Sequence, residues 1–349
     1  MISVIIPVRN SAEDIERLLD GVARTSLADY EVIVADDAST DDTAQRAARR
    51  GARVVALSEN RGPGPARNAA AAVARGEILV FLDSDVVLHH DRDVLADMAR
   101  AFDEDEALDC VISISDVRPT IENAVAYNSS VYHAYYMERF LAGDDARSGR
   151  LMFFTTRLGA IRARRFREAG GFHEGLGYLM NEDGEFGTRC YHLGFRTRID
   201  RRLAHHHRYP TRFGRFARGY FLNALGQALV DRRFDTSADE SVSGAEKGRR
   251  LLAMALWAAP FAPVALGPVL GGAVVLAGGL AFFASFGPIH RLVWSAVPPR
   301  HRAGWYLVYV GVTPAILAGY AAGVLLDLLG RSPLDRPRSH IADAQPAWT

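Results

Sequence analysis

Short apolar runs recur at strand-like lengths through the first 215 or so residues: SVIIPV (3–8), EVIVAD (31–36), ARVVAL (52–57), EILVFLD (77–83) and DCVISIS (109–115). Nearly continuous apolar runs of this kind belong to strands covered on both faces. The segments between them carry helical periodicity, at Ala12–Arg24, Asp41–Arg50 and Pro65–Arg75, and this alternation is the pattern of an α/β domain. Ser11 with Asp14, and Thr40 with Thr43, suit helix starts, and Pro65 suits a first turn. Each strand-helix-strand unit favours a right-handed crossover and an open, mostly parallel sheet, whose ligands collect at the carboxyl ends of the strands.

A chain of 349 residues exceeds one typical domain. The 41 basic and 41 acidic residues cancel, so no global field points to nucleic acid. Cys110 and Cys190 match no metal-ligand spacing and read as two thiols in a reducing compartment. Met1 leads directly into ISVIIPV, without a basic start or cleavage site, which predicts a first domain that stays in the cytoplasm.

The last third has different chemistry. From Leu251 to Ile289 no residue is charged, and one helix of that length would reach about 58 Å against a hydrocarbon core of about 30 Å. Gly267-Pro268 divides the run into Leu251–Leu266 and Val269–Ile289, a hairpin or re-entrant pair, and Ala303–Leu326 is long enough to span alone. Arginines flank every run, so the number of crossings stays open. Arg202–Arg233 reads as an interfacial helix. The expected organisation is an α/β domain over 1–215, an amphipathic segment over 216–250, a membrane domain of two or three helices over 251–330 and a polar tail over 331–349.

The sharpest chemical feature is FLDSDVV (81–87), an apolar strand ending in carboxylates at Asp83 and Asp85. Strand alternation puts both on one side, where they repel each other unless a cation lies beside them. Hard cations such as Mg²⁺ or Mn²⁺ take oxygen ligands, with phosphate oxygens to complete the sphere. Asp36 and Asp37 end the second strand and are placed to accept hydrogen bonds from a base or ribose. ENRGPGPARN (59–68) lets the backbone approach a ligand and sets Arg67 in a first helical turn, but it fits neither a P-loop nor a dinucleotide fingerprint. Glu182, Asp183 and Glu185 gather at a later helix start, where the dipole favours acids. In LAHHHRYP (203–210), alternation turns His205 and His207 one way and His206 the other, as candidates for a metal or diphosphate; His89, His90 and His133 read as structural.

Taken in order, SVIIPVRN, VADDASTDDT, NRGPGPARN, GEILVFLDSDV, GGFHEGL and NEDGEFGTRCYHLG resemble the family 2 inverting glycosyltransferases of the GT-A fold, across residues 3–196. The resemblance implies nucleotide contacts from Pro7, Arg9, Asp36, Asp37 and Arg67, metal and diphosphate contacts from Asp83 and Asp85, an Asp183 base paired with Glu182, and a metal-assisting His205 or His207. Asp83 also has the alternative of serving the ribose. The implied reaction moves a sugar from a UDP-, GDP- or dTDP-sugar to a glycan or lipid-linked acceptor at the cytoplasmic membrane, in cell-envelope glycan or glycolipid synthesis. TRFGRFARGYF (211–221) lacks the Gln-x-x-Arg-Trp element of processive synthases, and VVLHH follows the Asp-x-Asp where polyprenyl-phosphate transferases often carry Gln-His. Rival readings are a polyprenyl-phosphate glycosyltransferase, a sugar-nucleotide pyrophosphorylase, disfavoured because no Gly-rich loop follows the first strand, and an inactive glycan-binding scaffold. The aromatics between Asp116 and Thr156, among them Tyr127, Tyr132, Tyr135, Tyr136, Phe153 and Phe154, suit sugar stacking or core packing equally.

Overall fold

The computed structural model describes residues 1–142, 149–176, 179, 181–234 and 287–335, with a few positions between 276 and 285. The segment 235–250, the proposed pair Leu251–Leu266 and most of Val269–Ile289, and the tail beyond 335 lie outside the described residues.

Among the described residues the sheet has eight strands in the order β3-β2-β1-β4-β7-β6-β8-β5. Strands β1 (Ile2–Val8), β2 (Tyr30–Asp36), β3 (Arg53–Ala56) and β4 (Ile78–Leu82) are mutually parallel. All their carboxyl ends therefore share one edge. Strand β7 (Leu158–Arg162) runs antiparallel between β4 and β6 (Cys110–Ser115). Strand β8 (Thr197–His207) is parallel to β6 and antiparallel to β5 (Val86–Leu88). The fold is a mixed α/β sheet of the kind the sequence predicts.

Alternation along the strands builds two cores. Val4, Ile6, Val34, Val80 and Leu82 face one layer, with α1 (Ala12–Val22), α2 (Thr43–Arg49) and α4 (Val94–Glu104) packed on it. Ile15, Leu18, Leu19 and Val22 form the buried stripe of α1 at the spacing of one helical face. Ile5, Ile33, Leu79 and Phe81 face the other layer, covered by α3 (Pro63–Val73), α6 (Ala163–Glu168) and α7 (Glu182–His192). Here Phe81, Phe154, Phe166, Phe172 and Phe186 stack edge to tilted face, with Phe172 and Phe186 centroids 4.8 Å apart. This cluster fixes the start of α7 against the end of β4.

A helical layer closes one side: α5 (Ala124–Ala142), α8 (Phe213–Arg233), α9 (Gly287–Ala296) and α10 (Pro299–Leu328). Helix α8 begins at Phe213, and residues 202–207 belong to β8, so Arg202–Arg233 is not one interfacial helix. Helix α10 lies so close along α8 that a methyl on Gly319 or Gly323 would collide with the Phe221 or Leu225 carbonyl. Asp231 accepts from the Tyr320 hydroxyl at 3.0 Å, and Arg232 pairs with Asp327. Tyr127, Tyr132 and Tyr135 are buried against Trp305 and Tyr309. They are core residues, and Phe154 is one of the phenylalanine stack.

By length and composition α10 is the one helix among the described residues able to cross a membrane. Its inner face is covered by α8 and α5, while Leu307, Leu325 and Leu328 stay exposed. Cys110 and Cys190 are both free and buried.

Candidate active site

Strand polarity gathers the predicted residues. Pro7 lies near the end of β1 beside Ala35 of β2, and Arg9 is exposed just beyond it. Two residues with positive φ, Asn10 (51°) and Ala38 (56°), turn the loops after β1 and β2. The Asn10 carboxamide accepts from the Thr40 N–H at 2.8 Å, and Ser39 Oγ accepts from the Asn10 N–H at 3.0 Å. Holding Ala38 left-handed costs about 1–2 kcal/mol, and strain of this kind concentrates at functional loops.

Asp36 and Asp37 do different things. Asp36 Oδ1 accepts from the Ser39 N–H at 3.3 Å. Both Asp37 oxygens are committed to the protein, accepting from the Arg61 and Gly62 N–H groups at 2.7 and 2.9 Å. Gly62, at φ 91°, precedes Pro63 and opens α3 two residues earlier than predicted. Asp37 thus shapes the 59–68 loop, each of its oxygens accepting one backbone hydrogen bond.

Arg67 is buried between two carboxylates: it donates to Asp83 Oδ1 and Glu182 Oε1, each at 2.6 Å, and lies over the Phe172 ring. Its guanidinium links α3, the end of β4 and the start of α7. Within the three-acid cluster on α7, Glu182 is held by Arg67. Glu185 is fully buried in a bidentate pair with Arg189, which also donates to the Ala169 and Gly171 carbonyls. Asp183 is half-buried, and its Oδ1 accepts from the adjacent Gly184 N–H at 2.9 Å. Burial first, then the Glu182 and Asp83 charges, push its carboxyl up to about 7, against the pull of Arg67 and Arg157.

At the end of β4, Asp85 Oδ1 lies 3.0 Å from His207 Nε2. Burial works to raise the Asp85 carboxyl, but His207 and Arg157 more than offset it and hold it below its ordinary value. Asp83, Asp85 and His207 each bring a ligand atom to within 4.8 Å of the others. Two carboxylate oxygens and an imidazole nitrogen suit a divalent cation such as Mn²⁺ or Mg²⁺ with sites left for oxygen donors. His205 does not join them. It is fully buried with Nδ1 3.1 Å from Ser113 Oγ and Nε2 2.9 Å from Ser115 Oγ, and burial with the His207 and Arg157 charges keeps it neutral. Both nitrogens are spent, so the metal assignment falls on His207 alone.

Arg157 escapes a reading of the sequence. Antiparallel pairing sets Leu158 opposite Leu82, so Arg157 meets Asp83, whose N–H donates to the Arg157 carbonyl at 3.3 Å. Its guanidinium lies 5.4 Å from the Tyr209 ring centroid and near Asp83, Asp85 and Asp183. The only sequence sign is the short run LGAI after Arg157, easily passed over as a loop.

Strand-end carboxylates, an imidazole and a desolvated acid thus gather around one sheet edge. Residues 3–168 match the family described as glycosyl transferase family 2. Its fold is similar to that of a mannosyltransferase from Pyrobaculum calidifontis in complex with GDP-Man and Mn²⁺, with 19% identity, 93% of this chain and 87% of that one covered, and a TM-score of 0.56. In sequence it is 37% identical over 94 residues to the succinoglycan biosynthesis protein ExoO of Rhizobium meliloti, covering 26% of this chain and 27% of that protein. It is 42% identical over 98 residues to glucosyl-3-phosphoglycerate synthase of Mycobacterium tuberculosis, covering 26% and 30%. The matched region thus spans under a third of either relative.

Proposed function

We propose that the chain transfers a sugar from a nucleoside-diphosphate sugar to an acceptor hydroxyl, with inversion at the anomeric carbon. The observation that carries this reading is the pairing of one ligand set, Asp83, Asp85 and His207, with a separate acid, Asp183, raised to about 7. In the reaction the acceptor oxygen forms a bond to the anomeric carbon, the bond from that carbon to the diphosphate oxygen breaks, and Asp183 takes the hydroxyl proton. A base with pKa near the working pH suits that task. Asp83, Asp85 and His207 would hold a divalent cation, which when bound neutralises charge on the departing diphosphate. Arg157 adds fixed positive charge at the same edge. Arg67 keeps Asp83 and Glu182 in place, and Pro7, Arg9 and Asp36 line the side of the sheet where base and ribose belong.

The acceptor reading is a glycan or lipid-linked acceptor at the cytoplasmic membrane, in cell-envelope glycan or glycolipid synthesis, with the catalytic domain in the cytoplasm. The charge-free sequence 251–289 and the exposed face of α10 support membrane association. A polyprenyl phosphate acceptor is the second reading, favoured by the same apolar surface. The test is to incubate the purified chain with UDP-, GDP- and dTDP-sugars and Mn²⁺ and measure nucleoside diphosphate release, with and without polyprenyl phosphate. Release from one nucleotide class, abolished by EDTA, is expected. Donor binding without release or transfer under any combination would return the protein to the inactive scaffold reading.

A further inference from the structure

We propose that His89, Asp116 and His206 form a second cation site that takes Zn²⁺, on the opposite face of β8 from the donor site. The three residues come from three adjacent strands: His89 follows β5, His206 is in β8 and Asp116 follows β6. The Asp116 N–H donates to the His205 carbonyl at 2.8 Å, and Val87 pairs with His206, so the ladder itself sets the three side chains together. His89 Nε2 lies 2.7 Å and His206 Nδ1 3.2 Å from the same oxygen, Asp116 Oδ2. All three ligand atoms fall within 4.8 Å of one another.

Two features distinguish this from an ordinary ion pair. Both imidazole nitrogens are buried, yet neither makes an aligned hydrogen bond in spite of its closeness to the carboxylate. Buried polar atoms left in this state call for an ion or water. The rings are also only 4.4 Å apart. A single cation placed between the three atoms satisfies both nitrogens. Two nitrogens and one carboxylate oxygen form a donor set that prefers zinc to magnesium or calcium, with bonds of about 2.0–2.2 Å and a fourth position open to water. The side chains are 18%, 30% and 33% exposed, which leaves a path for the ion to enter.

Such an ion would tie the β5-β8-β6 edge together. Asp85 precedes β5 and His207 ends β8, so clamping those strands from behind holds the donor-site ligands in register. The site is structural, and it stands whether or not the donor-site reading does.

The test uses the full chain, stripped with EDTA, dialysed, and titrated with Zn²⁺ alone by calorimetry. An Asp85→Asn/His207→Ala background disables the donor-site ligands. One Zn²⁺ per chain should still bind there. Adding His206→Ala or His89→Gln should weaken it at least about tenfold, the scale seen even for less direct losses around a metal. The thermal midpoint of the background variant should rise with Zn²⁺, and this rise should vanish with Asp116→Asn. Co²⁺ in place of Zn²⁺ should give visible absorption bands that need His89 and His206, a readout independent of stability. Absence of Zn²⁺ uptake in the background variant, or uptake unchanged by the further substitutions, would overturn the proposal.

Discussion

Asp85 at the end of β4 and Asp183 at the start of α7 are the same residue type at the same sheet edge, yet their acidities move apart. Asp85 faces His207 and Arg157 and is held below the usual carboxylate range. Asp183 is desolvated beside Glu182, while Arg67, a cation that acts on it, is already bound to Asp83 and Glu182. The first stays an anion fit for a cation. The second can hold or release a proton near neutrality. Carboxylates driven apart by their surroundings mark a division of roles in an acid–base site.

The largest effect should come from removing the proton acceptor. Asp183→Asn is expected to lower turnover by about 10²–10⁴-fold while leaving donor binding intact; near-normal turnover would discard Asp183 as the base. The same variant carries a stability signature. Asp183 ordinarily titrates near about 3.9, and its folded value is raised to about 7. Between those values the folded chain keeps a proton that the unfolded chain has lost, so wild-type stability falls as pH rises through that window. Asp183→Asn should therefore melt higher than wild type at pH 8, with the gain shrinking toward pH 4, in paired melting curves.

Next in size, Asp85→Ala should weaken Mn²⁺-dependent donor binding by about 10–100-fold or more, since loss of even a supporting group around a metal costs that much. Binding that is equal with and without EDTA in wild type would remove the cation from the reading altogether. The smallest shift tests the coupling between acids. Glu182→Gln deletes the negative neighbour that helps raise Asp183, so the acidic limb of the pH–rate profile should move to lower pH by about one unit. An unmoved limb would mean that the titrating group is not Asp183.

The histidine run shows what strand spacing can and cannot say. Alternation correctly separates His206 from its neighbours. It cannot show that His205 is enclosed by Ser113 and Ser115 whereas His207 reaches Asp85, because depth along a strand depends on the strands beside it. His89 looked structural in isolation. Only the pairing of β5, β8 and β6 brings it to Asp116 and His206. The Glu182, Asp183 and Glu185 cluster behaves in the same way: helix-start chemistry predicts the group, and the distant partners Arg67 and Arg189 divide it.

The sequence by itself determined the strand runs of the α/β half, the carboxylates at the ends of β2 and β4 and the acid-rich start of α7, because these follow from local periodicity and turn chemistry. Tertiary structure decided the rest. Antiparallel β7 delivers Arg157 to Asp83, Asp37 anchors the loop before α3, and Tyr127, Tyr132 and Tyr135 of α5 are buried under α10. Each depends on partners far along the chain, whose proximity no local pattern encodes but which set the charge, burial and free lone pairs on which the site's chemistry rests.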